Sequence, residues 1–217
     1  MEFHIENIEH AYDCKALYQE EAIQTAFQAM SEVQGWTTID KARLLMEIIF
    51  ERKPEVVVEI GVYGGKSFLP MALALKHNKK GIAYGIDPWS NEASAEGWSG
   101  VNHDWWLNLD HDAILSGLLK AMDKYQLYNY IKLINTTSQN APSIQNIDLL
   151  HIDGNHSEEI ALQDVMKWVP LVKPGGLIVF DDTDWSTTQT AVEWLNTHCR
   201  KIGEAHEHNV WMIWIKE

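Results

Sequence analysis

The stretch VVVEIGVYGGKSFL, from Val56 to Leu69, decides how this chain is read. Val56 to Ile60 is a continuous, β-branched run with the composition of a strand buried on both faces. Pro54, just before it, stops a preceding helix. The run opens into glycines and then into an apolar segment at helical spacing, so the unit is strand, turn, helix. The turn resembles a phosphate loop, which needs G-x-x-x-x-G-K-[ST]. Gly65, Lys66 and Ser67 supply its end, but Ile60 stands where the first glycine belongs and Gly61 comes one residue late. The dinucleotide pattern G-x-G-x-x-G fails too, because Val62 and Tyr63 occupy the place of its second glycine.

Outward from this unit the pattern alternates. Two helices lead, Tyr12 to Val33 and Ile39 to Arg52, the second with Leu44, Leu45, Ile48 and Ile49 on one stripe. Beyond the turn come a helix (Phe68 to His77), a strand (Ile82 to Asp87), a long Trp-rich connection, a helix (Asp112 to Tyr125) and a strand (Ile131 to Ile134). A strand (Ile147 to Asp153), a helix (Glu158 to Val169), a strand (Leu177 to Asp181) and a helix (Thr188 to Cys199) follow. The tail NVWMIWIKE reads as a closing strand in a hairpin with a partner near Ala205. The expected class is α/β: a Rossmann-like, doubly wound sheet, mostly parallel with an antiparallel C-terminal strand, plus N-terminal helices. One domain over 1–217 is expected, with 1–53 as a helical extension and 54–217 as the cofactor-binding core.

Composition narrows the partners. The chain has 217 residues, 46% hydrophobic, and a formal net charge of −14 without any block of Lys or Arg. Such a surface is not built to neutralise nucleic-acid phosphates or to bind anionic membranes. The start MEFHIENIEH lacks the basic and apolar regions of a signal peptide, and no apolar run approaches the roughly 18 residues of a membrane span. Cys14 and Cys199 are far apart and form no metal or redox pair. The expected setting is cytoplasmic and the expected partner a small-molecule acceptor, with homo-oligomers forming through the N-terminal helices.

In doubly wound sheets ligands bind at the carboxyl ends of the strands. Those ends are Glu59 to Gly65, Asp87, Thr137 to Gln139, Asp153, and Asp181-Asp182, and four of the five carry carboxylates. A phosphate there would be repelled by about 4 kcal/mol per close pair at 4 Å in a partly buried site. A ligand with a positive centre is favoured. Gly61, Gly64 and Gly65 permit close backbone approach, and the helix after them offers free N–H groups to a carboxylate. A carboxylate with positive nitrogen and sulfur is the amino-acid end of S-adenosylmethionine. Asp87, 22 residues after Gly65, stands where an acid accepts from ribose hydroxyls; this acid alone would equally suit NAD. If the strands ending in Asp153 and Asp181-Asp182 are neighbours, three carboxylates meet. Oxygen ligands of this kind suit Mg²⁺; the alternative is that they cap the next turns.

EIGVYGGKS, GIDPW, TTSQNAP, HIDGNH and GGLIVFDD, in that order, resemble the class I, metal-dependent, catechol O-methyltransferase-like enzymes and their bacterial relatives acting on sugars and natural products. The likeness covers Gly35 to Asp184. It implies that Glu59, Gly61, Tyr63 and Ser67 lie on the methionine side of the cofactor, with Gly64 and Gly65 completing the turn. By the same resemblance Asp87 binds the ribose, Trp89 neighbours the adenine, Ser138 and Gln139 lie beside it, and Asp153, Asp181 and Asp182 hold the metal, Asp153 also bordering the cofactor. Two departures stand out: His156 replaces a lysine three residues after the first ligand, and Asp182 replaces a frequent Asn. His156 is therefore the expected general base, neutral near pH 7 at an unperturbed pKa of about 6.5.

Trp89, Trp98, Trp105 and Trp106 offer ring faces to an acceptor or simply pack. His151 reads as a core residue, and His206 and His208 as surface residues of the hairpin. The expected activity is divalent-metal-dependent O-methylation of a small hydroxylated acceptor (sugar, phenol or natural product) by S-adenosylmethionine. The alternatives are an NAD-dependent enzyme and a hydroxylase-like or non-methylating relative of the same fold.

Overall fold

A computed structural model describes residues 4–5, 16–207 and 209–217. Cys14, His208 and the first residues of the leading helix lie outside the described residues.

The chain runs β1 (His4–Ile5), α1 (Ala16–Ser31), α2 (Ile39–Arg52), β2 (Val56–Ile60), α3 (Phe68–Asn78), β3 (Ile82–Asp87), α4 (Asn91–Ala95), α5 (Gly100–Leu107) and α6 (His111–Lys124). It continues with β4 (Ile131–Asn135), β5 (Ile147–Ile152), α7 (Glu158–Trp168), β6 (Val172–Phe180), α8 (Gln189–His198), β7 (Arg200–His206) and β8 (Val210–Ile215). The long Trp-rich connection folds into α4 and α5. Strand β6 also starts earlier than Leu177: the KPGG segment pairs with the end of β8 through Gly175 N–H to Lys216 O at 2.7 Å and Lys216 N–H to Gly176 O at 3.0 Å.

The sheet order is β1-β7-β8-β6-β5-β2-β3-β4. Strands β2 to β6 pair in parallel, whereas β8 pairs antiparallel with β6 and β7, and β1 antiparallel with β7. The apolar residues of β2 and β5 alternate between two cores, one under α1, α2, α3 and α6, the other under α7 and α8. Fully buried Phe68, Leu45 and Ile49 sit in the first, Trp168, Phe180 and Trp214 in the second. Each such aliphatic or Phe side chain contributes about 1.5 to 3 kcal/mol by leaving water.

Chain order reverses between β2 and β5, and this reversal is where a crevice opens. The ladder places the turns after these strands side by side: Gly61 N–H donates to Ile86 O, Asp153 N–H to Ile60 O, and Asp181 N–H to Ile152 O, at 2.8 to 3.0 Å. Gly61, with φ +81°, must be glycine. A Cβ there would stand 2.0 Å from the Asp153 carbonyl oxygen.

Candidate active site

A cavity of about 570 Å³ opens over these strand ends, within the usual range for small-molecule sites. Of the residues expected in a site, Gly61, Tyr63, Ser67, Asp87, Ser138, Gln139, Asp153, His156, Asp181 and Asp182 line it. Glu59, Gly64, Gly65 and Trp89 are not in its wall. Gly64 abuts the Gln34 carbonyl and Gly65 abuts Leu118, so both serve packing of the turn. Trp89 is buried in the first core, and its indole N–H donates to Tyr63 O at 2.8 Å.

One end of the cavity is built around the β2–α3 turn. Asp87 takes Tyr63 N–H on Oδ2 at 2.8 Å and Trp89 N–H on Oδ1 at 2.7 Å, which leaves lone pairs toward the cavity. Burial pushes its pKa up, and the two backbone donors pull against that. Tyr63 and Trp89 both adopt left-handed backbone, at φ +50° and +40°, held there by Asp87 and the indole bond. Such conformations are costly for bulky residues and persist where the surroundings over-determine them. The side chain of Ser67 does not cap α3; its hydroxyl donates to Glu59 Oε1, and no acidic residue sits in the first turn of α3. Leu69 N–H is already taken by Gly65 O at 2.9 Å and Pro70 carries no N–H, so among the described residues the Ser67 and Phe68 amides are the ones at this helix start left open to an anion.

Further along the wall, Ser138 Oγ and Gln139 Nε2 (3.0 Å) donate to Oδ1 of Asp164, a carboxylate 2% exposed. Burial raises the pKa of Asp164 to about 7. Lys167, one turn on along α7, donates to the carbonyls of Ser138, Gln139 and Ala141 at 2.7 to 2.9 Å and fixes the same loop. His111, buried at the start of α6, also lines the cavity, with Nδ1 unpaired among the described residues.

The other end holds the three aspartates. Ligand atoms of Asp153, His156 and Asp182 lie within 4.8 Å of one another, as do those of His151, Asp153 and Asp181. Lys41, reaching in from α2 and 4% exposed, forms an ion pair with Asp181 Oδ2. Asp181 Oδ1 is buried with no hydrogen-bond partner among the described residues. Burial favours protonation of Asp181, but Lys41 and His151 hold it well below the usual carboxylate range. Asp153 goes the other way, up to about 6, through burial and repulsion by Asp181. Asp182, at φ +51°, accepts from Asn209 Nδ2 at 2.7 Å, so the β7–β8 hairpin tip is tied to the cluster.

His156 corrects the expectation of a neutral base. Its Nε2 lies 3.1 Å from Asp182 Oδ2 and 3.5 Å from Asp153 Oδ1. Burial pulls its pKa down, but the two carboxylates outweigh burial and hold it at about 10. With both carboxylates free to contact it, the ring is a cation near neutral pH. His151 is the buried residue that was expected: it is fully enclosed between Glu59 Oε1 at 2.7 Å and Asp181 Oδ2 at 3.5 Å.

The lid above is aromatic. Trp36 stacks on Tyr63 at 5.0 Å and meets Trp105 at 5.8 Å, and Trp106 stands edge-on to Tyr63 at 6.3 Å. A second group joins Trp98 to Trp185 at 6.0 Å and Trp185 to His156 at 5.6 Å. Lys41, Asp164, His111 and Trp36 are site residues that sequence reasoning missed. Lys41 and Asp164 left a signal: each is a charge on the apolar stripe of its helix, beside Leu45 and Ile48 in α2 and beside Ala161, Val165 and Trp168 in α7. His111 and Trp36 left none.

No helix among the described residues is long and apolar enough to cross a membrane. Residues 58–183 match the family described as Methyltransferase domain. An Arabidopsis thaliana protein named for caffeoyl-CoA O-methyltransferase is 29% identical over 149 residues, 68% of this chain and 54% of that protein; the chain thus spans about half the length of this curated relative. Among solved structures, the O-methyltransferase NovP superposes with a TM-score of 0.66 at 16% identity, covering 93% of this chain and 98% of that one. The O-methyltransferase TomG from Streptomyces achromogenes, solved in complex with SAM, gives 0.62 at 15% identity, covering 90% and 89%. At these identities the likeness establishes the fold. The family match spans more than half of the chain and runs from inside β2 to just past the Asp181-Asp182 pair, and the chain belongs to the methyltransferase-domain family.

Proposed function

We propose that the protein transfers the methyl group of S-adenosylmethionine to a hydroxyl oxygen of a small acceptor, a sugar, phenol or other natural product, and that Asp153, Asp181 and Asp182 hold a divalent cation, Mg²⁺ first among them. The observation that carries this reading is a single cavity with a glycine turn, free amides of Ser67 and Phe68 and a buried acid at one end and, at the other, three aspartates in two overlapping ligand groups, Asp153 with His156 and Asp182, and Asp153 with His151 and Asp181.

The aspartate end fits a cation. Even with Lys41 in place, Asp181 Oδ1 is buried with no hydrogen-bond partner among the described residues, and Lys41, His151 and His156 are three cations against the four carboxylates of Glu59, Asp153, Asp181 and Asp182, so the cluster is one positive charge short. An all-oxygen set of this kind suits Mg²⁺. When bound there, the ion supplies charge that favours the ionised form of an acceptor hydroxyl and fixes its direction.

The chain's own residues do the rest. The Ser67 and Phe68 amides take the cofactor's carboxylate, Asp87 accepts from the ribose hydroxyls, and Ser138, Gln139 and Asp164 border the adenine. The aromatic lid excludes water and orients the acceptor, so that an oxygen lone pair forms the new O–C bond as the S–C bond breaks and S-adenosylhomocysteine leaves. His156 is assigned the hydroxyl proton in its neutral form: with Asp153 and Asp182 holding a cation, the ring would lose the two contacts that keep it charged, release its own proton to solvent, and be free to accept the acceptor's at Nε2.

Calorimetric titration with S-adenosylhomocysteine tests the cofactor. The parent protein should bind it, and Asp87→Ala should weaken binding by about 1.5 to 3 kcal/mol, the range for a charged hydrogen bond. Absence of binding by the parent, or tight binding of NAD in its place, refutes the reading.

A further inference from the structure

The acceptor end of the cavity has an electrostatic character that the cofactor does not explain. Its walls combine six aromatic rings (Trp36, Tyr63, Trp98, Trp105, Trp106, Trp185) with two carboxylates outside the aspartate cluster, Glu96 and Glu207. The segment carrying Glu96 is pinned over the β5–α7 turn, because Asn155 Nδ2 donates to Glu96 O at 2.8 Å and to Ser94 O at 3.3 Å. Glu207 sits on the β7–β8 hairpin tip; Thr38 Oγ1 donates to its Oε2, and its Oε1 is buried without a partner among the described residues. Asn209, two residues on, holds Asp182.

Positive charge is confined to the interior. The lysines that line the cavity are Lys41 and Lys66. Lys41 is consumed by Asp181, and Lys66 Nζ donates to Gly35 O at 3.1 Å. A sulfonium and a divalent ion would add charge at the inner end, next to the aspartates. Glu96, which is exposed, and Glu207, which is half-buried, have no cationic partner among the described residues, and the whole chain carries a net charge of −14. An acceptor bearing phosphates or a carboxylate would bring its anion past these two carboxylates, and the repulsion is least screened at Glu207, the half-buried one of the pair. Aromatic faces instead favour a ring compound, and they attract a cation.

We propose that the acceptor is a ring compound without negative charge, neutral or cationic, held between the aromatic walls, and that coenzyme A thioesters and phosphorylated acceptors are excluded. This inference rests on the methyl-transfer reading above. It goes further in naming the charge class of the acceptor and in giving Glu96 and Glu207 the role of filtering it.

The test uses the full chain saturated with S-adenosylhomocysteine in MgCl₂, titrated calorimetrically with four probes: 4-methylcatechol, dopamine, 3,4-dihydroxyphenylacetate and caffeoyl-CoA. The first three share one dihydroxy ring and differ in charge. The neutral and cationic probes should bind at least about tenfold more tightly than the carboxylate, a factor equal to about 1.4 kcal/mol, and caffeoyl-CoA should bind more weakly still. In the double variant Glu96→Gln, Glu207→Gln the gap between dopamine and the carboxylate should shrink by about tenfold, an effect that loss of shape alone would not produce. Tighter or equal binding of either anionic probe, binding by none of the four, or an unchanged gap in the double variant overturns the proposal. Failure to saturate with S-adenosylhomocysteine in the first step sinks the methyl-transfer reading instead, so the two failures are distinguishable.

Discussion

Replacing Lys41 by Met removes one ammonium and keeps the apolar stem. In the folded protein that ammonium pairs with Asp181, both side chains being about 95% enclosed (5% and 4% exposed), and it stands 5.7 Å from the Trp211 ring. Without it, Asp181 keeps only the 3.5 Å contact with His151, while Asp153 and Glu59 lose a neighbouring positive charge. Breaking one partner of a buried ion pair costs about 3 to 5 kcal/mol, because the remaining charge is left uncompensated. For a chain of this size, about 2 to 4 °C of Tm is lost per kcal/mol, so Lys41→Met should melt roughly 6 to 20 °C lower in EDTA. A cation that binds only the folded state adds RT ln(1 + [L]/Kd), about 2.7 kcal/mol at a hundredfold excess over Kd. Excess MgCl₂ should therefore restore much of the loss in Lys41→Met and raise the parent's Tm less, since the parent's Asp181 is already paired. Thermal unfolding followed by circular dichroism, in EDTA and in MgCl₂, reads both effects. The double variant Lys41→Met, Asp181→Asn should recover stability, closing a mutant cycle. A single variant within about 0.5 kcal/mol of the parent in EDTA, or one that gains nothing from MgCl₂, would refute the argument that this cluster is short of positive charge.

Two further outcomes follow from the same geometry. Asp164 binds its proton more tightly folded than unfolded, with a pKa raised from 3.8 to about 7 by burial, so its contribution to stability is present at low pH and is lost as pH rises through about 7. Asp164→Asn has no proton to lose; it should melt higher than the parent near pH 8 and equally near pH 4, and a variant no more stable than the parent near pH 8 would contradict this. His156→Ala should lower kcat by roughly 10² to 10⁴ and leave S-adenosylhomocysteine affinity nearly unchanged, whereas a parental kcat would pass the proton to another group.

What could be read from the sequence was whatever has a period or a position. The β-branched run at Val56, the alternation of strands with helical stripes, and the acids at the ends of β2, β3, β5 and β6 together determine the doubly wound sheet and the residues on its carboxyl edge. A parallel sheet fixes those ends side by side, which is why Asp87, Asp153, Asp181 and Asp182 all reach one cavity. Residues that enter the site from elsewhere were hidden. Lys41 comes from a helix that precedes the sheet, and its partner lies 140 residues away. Trp36 and His111 reach the cavity from a loop and from a helix start, where no spacing rule links them to the strands. Protonation was equally invisible: His156 was read at its unperturbed value, and only the approach of two carboxylates shows that it carries charge.

Beneath the cavity the buried polar groups line up in one chain, whose link between His151 and Asp181 is an ion-pair contact rather than a hydrogen bond. Ser67 donates to Glu59 Oε1, the same oxygen contacts His151 Nδ1 at 2.7 Å, His151 Nε2 faces Asp181 Oδ2 at 3.5 Å, and Lys41 closes on Asp181. His151 is held as a cation, at a pKa of about 9, because its two carboxylate partners outweigh burial and the repulsion from Lys41. Acid and base therefore alternate along it, which is how so many buried charges coexist. Its first member starts α3 at the glycine turn, its middle members sit on the central strands β2 and β5, and its last members are the first residue after β6 and the first turn of α2. A chain so placed fixes the separation between the two ends of the cavity. Displacing either end would uncover a buried charge, and methyl transfer depends on holding donor carbon and acceptor oxygen within a few tenths of an ångström of one geometry. Glu59, which does not line the cavity, matters through this chain: it orients His151 from one side as Asp181 does from the other.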